Sequence, residues 1–493
     1  MKSRPFLFLF YSLLFLFIFS FSYYLPGDPD LGWHLRYGEE VAVGKRILTK
    51  DTYSHTFLGQ SVVDTEWLAE AVYYLIFNRW SFLGLALFSG VFTSLAFFIP
   101  AISFPGSLLN KFLIITWALW GSSLVLRIGA RPQNISLVFF SLLVVLLLKY
   151  QKKQKLKYIL FFPLLFLIWA NAHPGFFLGL FLVLVVLLIE TLLLALRGKN
   201  VKKIIPLLVI FLLSLALSNF RPQAQQAGRL SFDLIKGLVL PVNIAGEVSS
   251  TGRVRTAISE WLPPFLASLP GTLFFLGIVF SVAVFILRPL TLSNLRDLIL
   301  LLGFIYFSTL SRRNVPFFFL IFIPIIIGKT GRFTKRPRMK LLLPYFNLVA
   351  IFIMISVIVL RLPQATKKIL TEGSSISSYS QSRSYPWKAV EFIKKQKPLG
   401  NMFNPYNWGG FLIWQLREYP VFIDGRVPGV KIFSEYEEVV NLKKEWQEIL
   451  EKYNVEWMII SPSPIFEEIV KIEGDWEKIY SDERAIILKK KEL

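Results

Sequence analysis

The chain has 493 residues, of which 54% are hydrophobic and 47 are Phe, with a mean hydropathy of +0.55. These values exclude an ordinary soluble globular protein. The formal net charge of +22 first suggests a nucleic-acid partner, but Lys and Arg crowd alternate loops while the tail from Arg361 onward is nearly neutral, which is the positive-inside pattern of a membrane protein.

The first apolar run, 6–25, follows Lys2 and Arg4. Its length and the lack of a small-x-small cleavage site favour a retained helix over a signal peptide. A polar loop, 26–66, comes next. The segment 66–79 is too short to span and reads as an interfacial helix with Trp67, Tyr73 and Tyr74 at the headgroup level. Further spans are expected at 82–103, 112–127, 134–149, 158–170, 175–196, 203–219, 270–288, 297–310, 314–329 and 341–360, about eleven in all with the first. The basic loops at 149–157, 197–203 and 329–340 then lie in the cytoplasm with the N-terminus. The other face carries the large loops 26–66 and 220–269, the turns 127–133, 171–175 and 311–314, and the C-terminus.

Beyond residue 360 the composition changes. Residues 361–384, Ser-rich from 371, read as a linker, and 385–493 as an extracytoplasmic domain. In that domain a helix is expected at 386–397 and short strands at 411–415 and 420–424. A helix at 435–453 and a strand at 456–461 follow, and strands at 476–480 and 485–489 close the domain around Asp482-Glu483. The fold class is thus an α-helical polytopic membrane domain, residues 1–360, with a small α/β domain behind it.

There is no cysteine, which removes disulfides and thiolate metal sites, and only three histidines, His34, His55 and His173. All three fall on the outer face. In Asp28-Pro-Asp30-Leu-Gly-Trp-His34 two carboxylates and an imidazole lie just beyond the first span. Asp28 and Asp30 can face one divalent cation, Mg or Mn, or either can act as a general base. They can equally be a solvated turn, since Pro-Gly-Asp-Pro is strong turn chemistry. His34 can bind a phosphate or be an ordinary interfacial residue. Glu66 and Glu70 are four apart, on one helix face. Glu66 suits a helix N-terminus, whereas Glu70 lies in apolar surroundings where an acid is costly. A tight turn explains Pro174 and Gly175 but not His173, which is a candidate to point into a polar cavity. Arg131, Arg312 and Arg313 sit at outer helix ends, where arginine either snorkels or holds a phosphate.

Together these motifs resemble the GT-C superfamily of polytopic membrane glycosyltransferases, and within it the bacterial and archaeal proteins related to lipopolysaccharide-core and protein-mannosyl transferases. The resemblance rests on Asp28-Pro-Asp30-Leu-Gly-Trp-His34-Leu-Arg-Tyr-Gly38, Asp51-Thr-Tyr-Ser54 and Thr65-Glu66-Trp-Leu-Ala-Glu70. Arg131-Pro-Gln133, Asn171-Ala-His173-Pro-Gly175 and Arg313-Asn314 continue it, and Asn407-Trp-Gly-Gly and Asp424-Gly-Arg426 complete it. It implies an essential acid in the first outer loop, carried over to Asp30 with Asp28 beside it, and a second acid at Glu66. It implies a polyprenyl-phosphate-linked sugar donor held by arginines such as Arg131 and Arg313, with a glycan, lipid or protein as acceptor. Where Gly32 stands, related sequences have an aromatic residue, a difference that bears on packing more than on chemistry.

The expected activity is sugar transfer on the outer side of the cell membrane. The alternative is a transporter or envelope-assembly scaffold that keeps the fold without catalysis. Such a transporter would line a mid-membrane path with ionisable residues. Glu190 is the clearest acid within a span, and it lies near a cytoplasmic end.

Overall fold

The computed structural model describes residues 4–196, 198, 200–224, 261–289, 291–331, 337–426, 430–464, 466–468 and 474–491. Most of the expected outer loop 220–269 lies outside the described residues. The chain forms two compact units. One comprises 1–24, 86–247 and 255–367, and the other comprises 25–85, 248–254 and 368–493. The first outer loop therefore packs with the tail.

The first unit is helical. Seven helices among the described residues are long and apolar enough to cross a membrane, and Arg4–Ser20, Leu108–Gly121 and Leu156–Ala172 are shorter apolar helices. Its centre is the helix Val315–Thr330, apolar around its whole circumference and buried from Val315 through Ile327. An apolar helix in a membrane can also face lipid, so it is this burial that marks it as an inner one. It packs on Leu108–Gly121, Gln133–Lys153, Leu269–Ile286 and Leu292–Leu310. Aromatic pairs such as Phe140 on Phe317, ring centroids 5.0 Å apart, and Phe274 on Phe318, 5.3 Å, fill the layers between. By contrast Phe176–Leu196 is only 44% buried over its most apolar window, leaving one side for lipid. At the basic end Arg296 pairs with Glu190 at 3.2 Å and Lys329 with Asp297 at 2.7 Å. Glu190 is thus an ion-pair partner.

The second unit joins the first outer loop to the tail. Its sheet has the order β1-β2-β4-β3, from β1 (Asn401–Phe403), β2 (Val455–Ile460), β3 (Trp476–Ser481) and β4 (Ile486–Lys490). β1 runs parallel to β2, and β4 is antiparallel to both β2 and β3, with Ile459 opposite Ile487. The closing hairpin turns where expected, because Asp482 Oδ1 accepts the N–H groups of Arg484 and Ala485 at 2.7 and 2.8 Å.

Several elements differ from expectation. Residues Leu31–Ala42, read as loop, form a helix. Their buried positions 31, 34, 35 and 38 have helical spacing, but His34 and Gly38 on that face hide the apolar stripe. Residues 411–415, read as a strand, belong to the helix Gly409–Gln415; periodicity alone cannot assign so short an apolar run. Residues 420–424 are not a sheet strand either. Val421 exchanges backbone bonds with the first outer loop, Val421 N to Tyr53 O at 2.8 Å and His55 N to Val421 O at 3.0 Å. The expected helix 435–453 is two, Val430–Val440 and Trp446–Lys452, parted at Leu442 with φ 50°. The helix from Trp67 continues to Ser103 across a break at Ser81 (φ 51°, ψ −147°), which separates the segment read as interfacial from the following span. The stretch read as a linker carries the end of the helix Pro337–Glu372 and the helix Ile376–Ser382, whose cap is Ser375.

Candidate active site

The acidic loop at Asp28 is shaped by its own side chain. Asp28 Oδ1 accepts the N–H of Asp30 at 3.1 Å, and the Leu31 N–H bonds Asp28 O at 3.2 Å. Asp28 is buried, so this oxygen is committed to the turn. Asp30 then opens the helix Leu31–Ala42 without capping it through its side chain. Its carboxylate lies instead against Gly425, where a Cβ would stand 1.7 Å from Asp30 Oδ1. Glycine at 425 is what allows the Asp424-Gly-Arg426 turn to close over this acid. From the tail, Arg383 donates to the carbonyl of Leu25 and lies against Gly27.

Phenols complete the surroundings. Burial, then Tyr379, Asp28 and Asp30, push the Tyr385 hydroxyl far above the usual phenol value. Burial, then Asp30, Asp424 and Asp28, do the same to Tyr406. Both phenols stay protonated and so remain donors beside the acids. Tyr385 is fixed by stacking on Phe411 at 4.5 Å, and Tyr406 lies edge-on to Phe433 at 5.6 Å.

A second cluster stands where the helix Leu31–Ala42 meets the helix that begins at Trp67. A Cβ on Gly38 would come within 2.1 Å of Glu70 O, so the two backbones touch there. His34 Nδ1 lies 2.9 Å from Glu70 Oε1 and 3.9 Å from Glu66 Oε2. One ligand atom from each of these three residues falls within 4.8 Å of the others. Asp64, one turn earlier, accepts the Glu66 N–H at 2.8 Å as a helix cap and also faces the Glu70 carboxyl. Burial pushes the Asp64 carboxyl up to about 6, against the hydrogen bonds of the Glu66 N–H, the Glu70 carboxyl and the Trp67 N–H. For a cation, this set fits better than the Asp28 and Asp30 pair. Asp28 spends an oxygen on its own turn, whereas Glu70 Oε2 and Asp64 Oδ2 are buried with no donor but the proton the two carboxyls share.

Arg426 belongs to the framework. Its Nε bonds Asp424 Oδ1 at 2.7 Å, and one guanidinium nitrogen lies 3.0 Å from Asp51 Oδ2. Burial alone would lower its pKa, but Asp424, Tyr37 and Asp51 raise it well above the usual arginine value. Asp51 in turn accepts the N–H groups of Tyr53 and Ser54 at 2.7 and 2.9 Å.

The remaining candidates lie in the first unit. Arg131 is buried, and its carbonyl accepts the Asn134 N–H at 2.9 Å. Arg313 O accepts Gln133 Nε2 at 3.2 Å, while Arg312 donates from Nε to Pro263 O at 3.2 Å and covers the Phe265 ring at 4.6 Å. His173 has a fixed tautomer. Trp169 Nε1 donates to Ser136 Oγ at 2.6 Å, which leaves the Ser136 proton for His173 Nδ1 at 2.8 Å. The Gly175 N–H donates to the same nitrogen at 2.9 Å. Nδ1 therefore accepts twice, and the proton of the neutral ring is on Nε2.

Sequence reading brought Asp28 with Asp30, and Glu66 with Glu70, into view. It missed Asp64, Arg383, Tyr385 and Tyr406. Asp64 stands three residues before Trp67, the position and residue type of a helix cap, and could have been found from that signal. The other three lie far along the chain from the acids they approach, and no local pattern marks them.

No family model matches the chain, and no curated protein matches it in sequence. Solved structures do resemble it. The oligosaccharyltransferase AglB of Archaeoglobus fulgidus, in complex with an inhibitory peptide and a dolichol-phosphate, aligns with a TM-score of 0.52 at 10% identity, over 93% of this chain and 70% of that one. ArnT of Cupriavidus metallidurans bound to undecaprenyl phosphate gives 0.52 at 14% identity, over 99% and 98%. Apo ArnT gives 0.53 at 13%, over 98% and 97%. The chain therefore shares the fold of these structures, the GT-C-like fold its motifs led us to expect.

Proposed function

We propose that this protein is a membrane glycosyltransferase that moves a sugar from a polyprenyl-phosphate-type donor to an acceptor on the extracytoplasmic side. The observation that carries the reading is Asp30. It is a part-exposed carboxylate at a helix start that it does not cap, with buried Asp28 and neutral phenols around it, in a GT-C fold. Two solved structures of that fold are described with dolichol-phosphate and undecaprenyl phosphate.

In this reading Asp30 accepts the proton of the acceptor hydroxyl as its oxygen attacks the anomeric carbon. The bond from that carbon to the phosphate oxygen breaks, and the polyprenyl phosphate leaves with the electron pair. Arginine suits such a phosphate, and Arg131, Arg312 and Arg313, with His173 as a neutral donor, are the candidates for that role. Tyr406 and Tyr385 donate to sugar hydroxyls or to the Asp28 carboxylate and keep the acids oriented.

The test is a deletion strain of the native host complemented with wild-type or Asp30→Asn protein, with lipid-linked sugars and surface glycans read by mass spectrometry. The variant, present in membranes at wild-type abundance, is expected to lose transfer about 100-fold or more and to accumulate the lipid-linked sugar. If Asp30→Asn restores the wild-type glycan in full, the chain is no transferase of this kind, and the scaffold reading takes its place.

A further inference from the structure

We infer that His34, Glu66 and Glu70 form a binding site for a divalent transition-metal cation, separate from the Asp28–Asp30 pair. Three observations meet here. The first is the donor set: one imidazole nitrogen and two carboxylate oxygens, all within 4.8 Å of one another. A tetrahedral metal with bonds of about 2.1 Å spaces its ligand atoms about 3.4 Å apart. The observed 2.9 and 3.9 Å from His34 Nδ1 straddle that value, so small side-chain adjustments suffice to admit an ion.

The second is an unmet charge requirement. Glu70 is 1% exposed and Asp64 8%. No donor other than a proton held between the two facing carboxyls reaches Glu70 Oε2 or Asp64 Oδ2, and a bound cation can take that proton's place. Buried facing carboxylates need a positive charge between or beside them. The Arg426 guanidinium acts on this cluster, but it is bound to Asp424 and Asp51.

The third is rigidity. The close approach of Gly38 to Glu70 O fixes the two helices that carry the donors, and Asp64 fixes the start of the second through the Glu66 N–H. Donor positions are thereby set by backbone contact rather than by flexible loops.

One imidazole among carboxylates, without a thiolate, suits Zn²⁺ or Mn²⁺ better than Ca²⁺ or Mg²⁺. Binding displaces the proton that His34 Nδ1 shares with Glu70 and leaves the ring proton on Nε2. Asp64 then serves as an outer carboxylate beside Glu70. With three protein donors a fourth position stays open, and Glu66, its side chain 18% exposed, marks the side from which an ion enters.

The inference stands apart from the transferase reading, and binding tests it directly. Tag-free protein in nanodiscs is stripped with EDTA and titrated separately with Zn²⁺ and Mn²⁺, following metal content and thermal unfolding. About one equivalent of one cation is expected, with a rise in melting temperature. Glu66→Gln, the least buried donor, is expected to weaken uptake 10-fold or more, and His34→Ala to abolish it. Asp30→Asn is expected to bind the cation like wild type even if it loses transfer, so the two proposals can fail independently. Wild-type protein that takes up neither cation at millimolar concentration overturns the site and leaves Asp64 and Glu70 sharing a proton instead. Unchanged uptake by both Glu66→Gln and His34→Ala also overturns it.

Discussion

Arg426 shows how much one side chain can hold. It sits between Asp424 and Asp51, with the rings of Tyr37 and Tyr53 5.8 and 5.3 Å from its guanidinium carbon. Through Asp51 it ties the first outer loop to the tail turn that closes over Asp30. Removing it leaves two buried carboxylates uncompensated. Arg426→Ala is therefore expected to cost about 3–5 kcal/mol, read as loss of cooperative thermal unfolding or as protease cleavage of the second unit. Adding Asp51→Asn should restore part of that stability, because one of the orphaned charges is gone. If Arg426→Ala melts like wild type, the clamp carries no weight. From the sequence, Asp424-Gly-Arg426 read as a turn that could face a ligand. Nothing local showed that Asp51, hundreds of residues earlier, answers Arg426. Such long-range pairing is also why His34 and Glu70 could be singled out separately but not as partners.

The two elements least legible in the sequence are the two that build the site. The helices Leu31–Ala42 and Gly409–Gln415 cross where a Cβ on Gly32 would stand 2.1 Å from Gly410 O. Glycine lowers helix propensity in both segments, so the local signal is weak and packing decides the structure. Long uniform spans such as Val315–Thr330 were legible, because composition and length alone specify them. A larger side chain at position 32 has no room here. Gly32→Ala should cost about 1–3 kcal/mol through overpacking. Gly303→Ala, at a helical glycine with open space around it, should cost nothing. Equal thermal stability of the two variants would show that the crossing is looser than described.

At the scale of the whole molecule, charge and hydropathy make a claim about direction. Basic residues gather at 149–157 and 197–203, next to span ends, where positive charge is retained on the cytoplasmic side. The tail, nearly neutral with its own sheet and apolar core, carries no such bias and is free to lie on the other side. The proposed sugar transfer by Asp30 on the outer face depends on that orientation, because the tail turn at Gly425 packs on this acid. The chain has no cysteine, so single introduced thiols report without background. Glu483→Cys, at the exposed closing hairpin, should react with a membrane-impermeant maleimide in intact cells, and Lys153→Cys, exposed at the end of Gln133–Lys153, should react only after permeabilisation. The reverse pattern would put the tail in the cytoplasm. Asp30, packed against that tail, would then face cytoplasmic acceptors, and the extracytoplasmic reaction would fall while the fold stood.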